Sequence, residues 1–311
     1  MNITNRNHIT YPDENKIRPW MDAFLRAKQV ENLSQRTIEF YTWRLKQVNK
    51  FLSSIGIYFI DQISEDVIRQ YFIYLKETGH NPGGIAASFR TIKCFLRWYE
   101  NEVEPEDWKN PIRKIKAPKV DIAPIEGVKL VDLKALLDAS KGKDFTDLRD
   151  YALFLFLLDT GARAGELLAI NTEDVDLIDG SVLIRRGKSR KPRTVFLSEN
   201  PRKALRRYLK VRQSQTTALW ITSNNGNRLT YDGLNMILRR KCEKANIEKV
   251  SCHDFRRTFA LESLRNGADI YSLQKLMGHA DLQVLRRYLA QNNDDLSNAH
   301  RKSSPVSNWE L

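Results

Sequence analysis

The stretch Trp108-Lys-Asn-Pro-Ile-Arg-Lys-Ile-Lys-Ala-Pro-Lys-Val-Asp-Ile-Ala-Pro124 divides the chain. Its three prolines each fix φ and remove a backbone donor, and its five lysines and arginines follow no sustained helical period. It reads as an extended basic linker. A first domain is expected to close near residue 110 and a second to open near residue 127.

On the N-terminal side, Ile38, Tyr41, Leu45, Val48 and Leu52 keep the three-and-four spacing of a buried helical stripe, with Ser34 placed to cap it. Val67, Ile68, Tyr71, Phe72 and Leu75 repeat the pattern up to Gly79, and Phe89, Ile92, Phe95, Leu96 and Tyr99 repeat it after Pro82-Gly-Gly84. With Trp20, Phe24 and Leu25 ahead of them, these stripes predict roughly four helices in a small bundle. On the C-terminal side, helical patterns over 130–140 and 145–160 lead to a break, Thr160-Gly-Ala-Arg-Ala-Gly-Glu-Leu167. Two β-prone runs follow, Ser181-Val-Leu-Ile-Arg-Arg186 and Arg193-Thr-Val-Phe-Leu197, separated by Gly187-Lys-Ser-Arg-Lys-Pro192. They predict a β-hairpin with a basic tip. Helices return over 201–213, 231–245, 255–266 and 270–277. The expected fold class is mainly α: an N-terminal helical bundle, then a mixed α/β, mostly helical domain that carries a small hairpin.

With 311 residues, 41% of them hydrophobic, the chain has material for two cores. The longest apolar run, Tyr151-Ala-Leu-Phe-Leu-Phe-Leu-Leu158, is far too short to span a bilayer, and the N-terminus lacks the apolar core of a signal peptide. A cytoplasmic protein is expected. Cys94, Cys242 and Cys252 are scattered without a Cys-x-x-Cys pair, which argues against a disulfide framework and against a zinc site.

The net charge of +13 is unevenly spread: 19 basic and 16 acidic side chains in residues 1–126, but 32 and 22 in residues 127–311. Between Arg185 and Arg212 twelve lysines and arginines face a single acid, Glu199. Such a concentration repels itself unless a polyanion neutralises it, so nucleic acid is the leading partner. A membrane surface is disfavoured, because the stretch is not one amphipathic helix with a bulky apolar face.

Six side chains invite chemistry. Arg163 stands in a glycine-rich helix start, where a guanidinium and the positive helix end together would hold an anion. His253 and Arg256, three residues apart at another helix start, share one face. Lys188 occupies the hairpin tip. His279 follows Gly278 at a helix end, and Tyr288 stands nine residues beyond it in Leu276-Met-Gly-His-Ala-Asp-Leu-Gln-Val-Leu-Arg-Arg-Tyr-Leu-Ala290. Each has a plainer reading. Arg163 suits a surface, either histidine suits a cap, Lys188 suits nonspecific phosphate attraction, and Tyr288 between Leu285 and Leu289 suits a packed helix.

Singly the plain readings win; taken in chain order the set does not. Gly161-Ala-Arg163-Ala-Gly-Glu166-Leu, Gly187-Lys188, His253-x-x-Arg256, Leu-Met-Gly-His279 and Tyr288 together resemble the tyrosine recombinases of the phage-integrase and Xer type, over nearly the whole chain. The resemblance implies a SAM-like core-binding domain at 1–110, a linker at 111–126, a catalytic domain at 127–292, and a tail at 293–311 that contacts a neighbouring protomer. It further implies that Arg163 and Arg256 hold the scissile phosphate, His253 and His279 assist, Lys188 is the acid and Tyr288 the nucleophile. Four protomers would act on two DNA sites, with an accessory DNA-bending protein or a second recombinase as candidate helpers. The chain departs from the usual pattern in having Phe255 where leucine is commoner and Val284-Leu-Arg-Arg where a threonine often precedes the tyrosine.

The chemistry is coherent without the family. A phosphodiester gains negative charge as an oxygen attacks it, and two guanidinium forks neutralise that charge where it develops, with no metal required. Glu166, three residues after Arg163, reads as the partner that orients it. A phenol with pKa near 10 needs cationic surroundings such as His253, Arg256 and Arg287 to ionise. A phosphotyrosine keeps the bond energy, so rejoining needs no cofactor. Two other readings compete: a type IB topoisomerase that relaxes one duplex, and a non-catalytic protein that only binds or synapses DNA. An RNA-binding module is disfavoured, because no aromatic-rich sheet for stacking bases is visible.

Overall fold

The structure is a computed structural model that describes residues 15–119, 126–185 and 192–278, together with residues 297, 300, 301, 304 and 306. The chain divides into two compact units, Met1–Ile122 and Ala123–Leu311.

Among the described residues, four helices build the first unit: α1 (Ile17–Val30), α2 (Gln35–Ser54), α3 (Glu65–Glu77) and α4 (Pro82–Val103). Side chains that take up unpaired backbone N–H groups set three of their starts. Ser34 Oγ accepts from Thr37 N at 3.2 Å, Ser64 Oγ from Val67 N at 3.3 Å, and Asn81 Oδ1 from Gly84 N at 2.7 Å. The predicted stripes face inward. Ile38, Leu45, Val48 and Leu52 of α2 are buried, as are Ile68, Tyr71 and Leu75 of α3 and Phe89, Ile92, Phe95, Leu96 and Tyr99 of α4. Phe24 of α1 meets Phe95 and Trp98 edge-on, with ring centroids 5.7 and 5.6 Å apart. Such geometry suits the ring quadrupoles and adds about 0.5–1.5 kcal/mol per pair beyond burial.

The expected linker is corrected at its start. Trp108 packs edge-on against Tyr99 at 5.2 Å, and Asn110 Nδ2 donates to the Leu96 carbonyl and to Glu100. Residues Pro111–Lys114 form a 3₁₀ turn capped by Asn110, and Ile112 is 2% exposed. The prolines that stop a helix here do not prevent docking: Pro111 takes the turn's first position, where an N–H is not needed, and the next residue enters the bundle core.

The second unit holds α5 (Leu130–Asp138), α6 (Phe145–Thr160), α7 (Ala164–Ala169), β1 (Ser181–Ile184), β2 (Arg193–Phe196), α8 (Glu199–Val211), α9 (Tyr231–Ala245), α10 (Cys252–Arg265) and α11 (Ile270–Met277). From Tyr151 to Leu158 α6 is apolar on every side, and it is accordingly the central helix, packed against α8, α10 and β2. Phe154 stacks on Phe255 at 5.8 Å, joining α6 to α10. The strands pair antiparallel, with Ser181 opposite Phe196, Val182 opposite Val195 and Ile184 opposite Arg193. Alternation then sorts the faces: Val182, Ile184 and Val195 are buried, while Leu183 and Phe196 face outward. Arg193 belongs to the inward set. Among the described residues no helix is long and apolar enough to cross a membrane, and no group of three or more His, Cys, Asp or Glu is placed to hold a metal ion.

Candidate active site

The C-terminal ends of α6 and α11 meet the starts of α7 and α10 at the site. α6 stops at Gly161, whose φ of +58° is left-handed; a Cβ there would lie 2.4 Å from Phe259 Cδ1. α11 stops at Gly278 with φ +62°, where a Cβ would lie 2.9 Å from Arg193 Nη1. Glycine therefore serves twice, supplying the left-handed turn and the space for a neighbouring side chain. At both ends the last carbonyls have no partner within their own helix and carry the negative end of its dipole. Arginines fill that need.

Arg256 is the fifth residue of α10, which Ser251 opens with a reciprocal cap: Asp254 N donates to Ser251 Oγ at 3.4 Å, and Ser251 N to Asp254 Oδ2 at 2.9 Å. Its guanidinium donates from Nη1 to the Gly161 carbonyl at 2.6 Å and from Nη2 to the Met277 carbonyl at 2.7 Å, and the residue is 3% exposed. Arg163 is the residue before α7. Its Nη2 donates to the Gly278 carbonyl at 3.2 Å and its Nη1 to the Met277 carbonyl at 3.4 Å and to Glu166 Oε1 at 2.9 Å. Residues 93 positions apart in sequence thus meet on one carbonyl oxygen. His253 is exposed, three residues before Arg256 in α10.

Glu166 ties the arrangement together. Its Oε2 accepts from the Arg163 backbone N–H at 2.9 Å, and its two oxygens receive Arg193 Nη1 and Nη2 at 3.0 and 2.7 Å. Burial alone would raise this carboxyl, but the Arg193 fork and the bonds from Arg163 outweigh it and hold Glu166 below the ordinary carboxylate range. The expected pairing of Glu166 with Arg163 is present as a hydrogen-bonded ion pair. Arg193 is a member of this network that the motifs do not point to. Strand alternation places it on the same face as Val195, and an inward-facing arginine needs a buried acid, so a signal for it does exist in the sequence. Lys188, His279 and Tyr288 lie outside the described residues.

The fold and the site define a class: a mostly helical protein whose second unit gathers guanidinium groups from distant motifs around one point, an arrangement suited to a phosphodiester. Comparison with known proteins places it more closely. The phage integrase family matches residues 128–295, and the phage integrase SAM-like domain matches residues 17–98. Tyrosine recombinase XerC of Oceanobacillus iheyensis is 29% identical over 94% of this chain and 98% of its own. Tyrosine recombinase XerD of Staphylococcus saprophyticus is 30% identical over 86% and 92% respectively. The Tn1549 transposon integrase, solved in complex with transposon right end DNA, shares the fold with a TM-score of 0.76 at 19% identity, over 89% of this chain and 97% of that one. The chain belongs to the phage integrase family, and it is a tyrosine-type, site-specific DNA recombinase.

Proposed function

We propose that the chain cuts duplex DNA by attack of Tyr288 on a phosphodiester held by Arg163 and Arg256. The convergence of both guanidinium groups on the Met277 carbonyl carries this reading, since it brings two cationic forks to one place. The phenolic oxygen of Tyr288 forms a bond to phosphorus and its proton passes to His253. The bond from phosphorus to the 5′ oxygen breaks, and that oxygen takes a proton from Lys188. A 3′-phosphotyrosine and a free 5′-hydroxyl result, with His279 bonding a phosphate oxygen. Attack by a 5′-hydroxyl reverses the step and restores the tyrosine, so no cofactor is consumed.

The division of labour follows the family: a core-binding domain in the first unit, a linker reaching to residue 126, a catalytic domain over 127–292 and a tail over 293–311. Both units bind double-stranded DNA, and four protomers act on two sites, with the tail contacting a neighbour. A bending protein or second recombinase assists. The work is done in the cytoplasm, at the nucleoid.

The test is covalent capture. Wild-type protein and a Tyr288→Phe variant are incubated with sheared host DNA, quenched in denaturant, and the protein-linked DNA is sequenced. Adducts at one recurring site, joined through the DNA 3′ end and lost in Tyr288→Phe, are expected. Adducts that persist in the variant would move the nucleophile elsewhere. Adducts scattered over all sequences, with relaxation of supercoiled plasmid, would favour the topoisomerase reading.

A further inference from the structure

Three successive carbonyls at the end of α11 are all taken by arginines. Leu276 receives Arg193 Nε at 2.8 Å, Met277 receives Arg163 and Arg256, and Gly278 receives Arg163. Arg193 also forks onto Glu166, whose Oε1 and Oε2 each take one bond from Arg193 and one from Arg163. The two arginines on this carboxylate differ in exposure: the Arg163 side chain is 29% exposed and that of Arg193 only 10%. Arg163 stays open to a ligand, while Arg193 is turned to the protein.

We propose that Arg193 is a positioning residue for strand cleavage, locking Glu166 to the end of α11 and thereby aiming the Arg163 guanidinium. The proposal rests on Arg163 holding the phosphate. A carboxylate turns about its last torsion with little resistance, so Glu166 held only by Arg163 would let that guanidinium swing with it. Two parallel bonds from Arg193 remove this freedom, and the Nε bond fixes the fork to α11. A lysine has the charge but neither the fork nor the third donor in place. Arg193 also opens β2, five residues after Lys188 in sequence, so the same residue links the turn of Arg163, the start of β2 and the end of α11.

The test compares Arg163→Ala, Arg193→Gln and Arg193→Lys on a nicked duplex carrying the captured cleavage site, with single-turnover cleavage measured at saturating protein. Each variant cuts two substrates: the normal diester, and one whose scissile phosphate is a methylphosphonate. The methylphosphonate is neutral, so its reaction no longer depends on a guanidinium to offset the starting charge. On the normal diester Arg193→Gln is expected to lose on the order of 10²-fold, the effect of a small misplacement of a catalytic group, with Arg193→Lys between it and wild type. DNA affinity should stay within about twofold, because a buried positioning residue adds little to uniform binding. On the methylphosphonate the deficits of Arg163→Ala and Arg193→Gln should both shrink, which a general loss of folding would not produce. If glutamine destabilises the unit, Arg193→Lys supplies the same comparison. A deficit in the Arg193 variants that methylphosphonate leaves unchanged, while Arg163→Ala is rescued, overturns the positioning role and leaves Arg163 in place. No rescue of Arg163→Ala overturns the role of Arg163, and that of Arg193 with it.

Discussion

Arg163 and Arg256 share one acceptor, the Met277 carbonyl, at 3.4 Å from Arg163 Nη1 and 2.7 Å from Arg256 Nη2. One arginine comes from the turn after α6 and the other from near the start of α10, so the end of α11 sets their spacing. Like charges held this close need negative partners, and the helix ends and Glu166 provide them. The roles proposed for these groups make each separately necessary. Arg163→Ala and Arg256→Ala should each slow cleavage and joining on the order of 10²–10³-fold, as loss of one preorganised charge-stabilising group does. Single-turnover cleavage on a nicked duplex measures this, and near wild-type rates in either variant would remove that arginine from the chemistry.

Gly161 links stability to the site. Its left-handed backbone costs any other residue about 1–2 kcal/mol. In Gly161→Ala the new methyl must also displace the Phe259 ring, which would be 2.4 Å away. Thermal unfolding should therefore show a melting temperature several degrees lower, with cleavage reduced because the Gly161 carbonyl holds Arg256. An unchanged melting temperature would mean that the turn tolerates a side chain.

Glu166 should make the second unit acid-sensitive. Its folded carboxyl is held below its ordinary range, so the stability it contributes is present at neutral pH and is lost as pH falls through that lowered value. Wild type and Glu166→Gln should differ most in urea midpoint at neutral pH and converge as pH falls below the usual glutamate range. A gap that is constant with pH would show that charge on Glu166 contributes nothing to folding.

Lys188 can be separated from mere positive charge by its leaving group. Lys188→Ala should cut normal DNA about 10²–10⁴-fold more slowly, the usual cost of losing a general acid. Arg190 and Arg193 hold their protons too tightly to replace it. Substituting sulfur for the bridging 5′ oxygen gives a leaving group that needs no proton, so this substrate should restore cleavage to Lys188→Ala but not to Arg163→Ala. Rescue of Lys191→Ala instead would reassign the acid.

The elements are legible in the sequence because their causes are local. Ser34, Ser64 and Asn81 cap helices within three residues of themselves, and the apolar stripes of α2, α3 and α4 repeat at the helical period, so the helices of the first unit can be counted from residue spacing alone. The spans of α6, α9 and α11 match those read from spacing. The start of the linker is where spacing misleads, since composition reports that a stretch will not form a helix and does not report that Ile112 finds a core to enter.

The site divides along the same line. Motif order alone singles out Arg163, Lys188, His253, Arg256, His279 and Tyr288, and it pairs Glu166 with Arg163, because a contact three residues apart at a helix start is fixed by helical geometry. Only the tertiary structure decides that Arg163 and Arg256 converge, that carbonyls at two helix ends orient them, and that Arg193 closes the network on Glu166. Those contacts join residues 21 to 115 positions apart, and nothing in the local chain encodes which distant helix end will arrive. That is settled by how α6, α10, α11 and the hairpin bury their apolar faces together, and the arginines bond to the carbonyls this packing brings within reach.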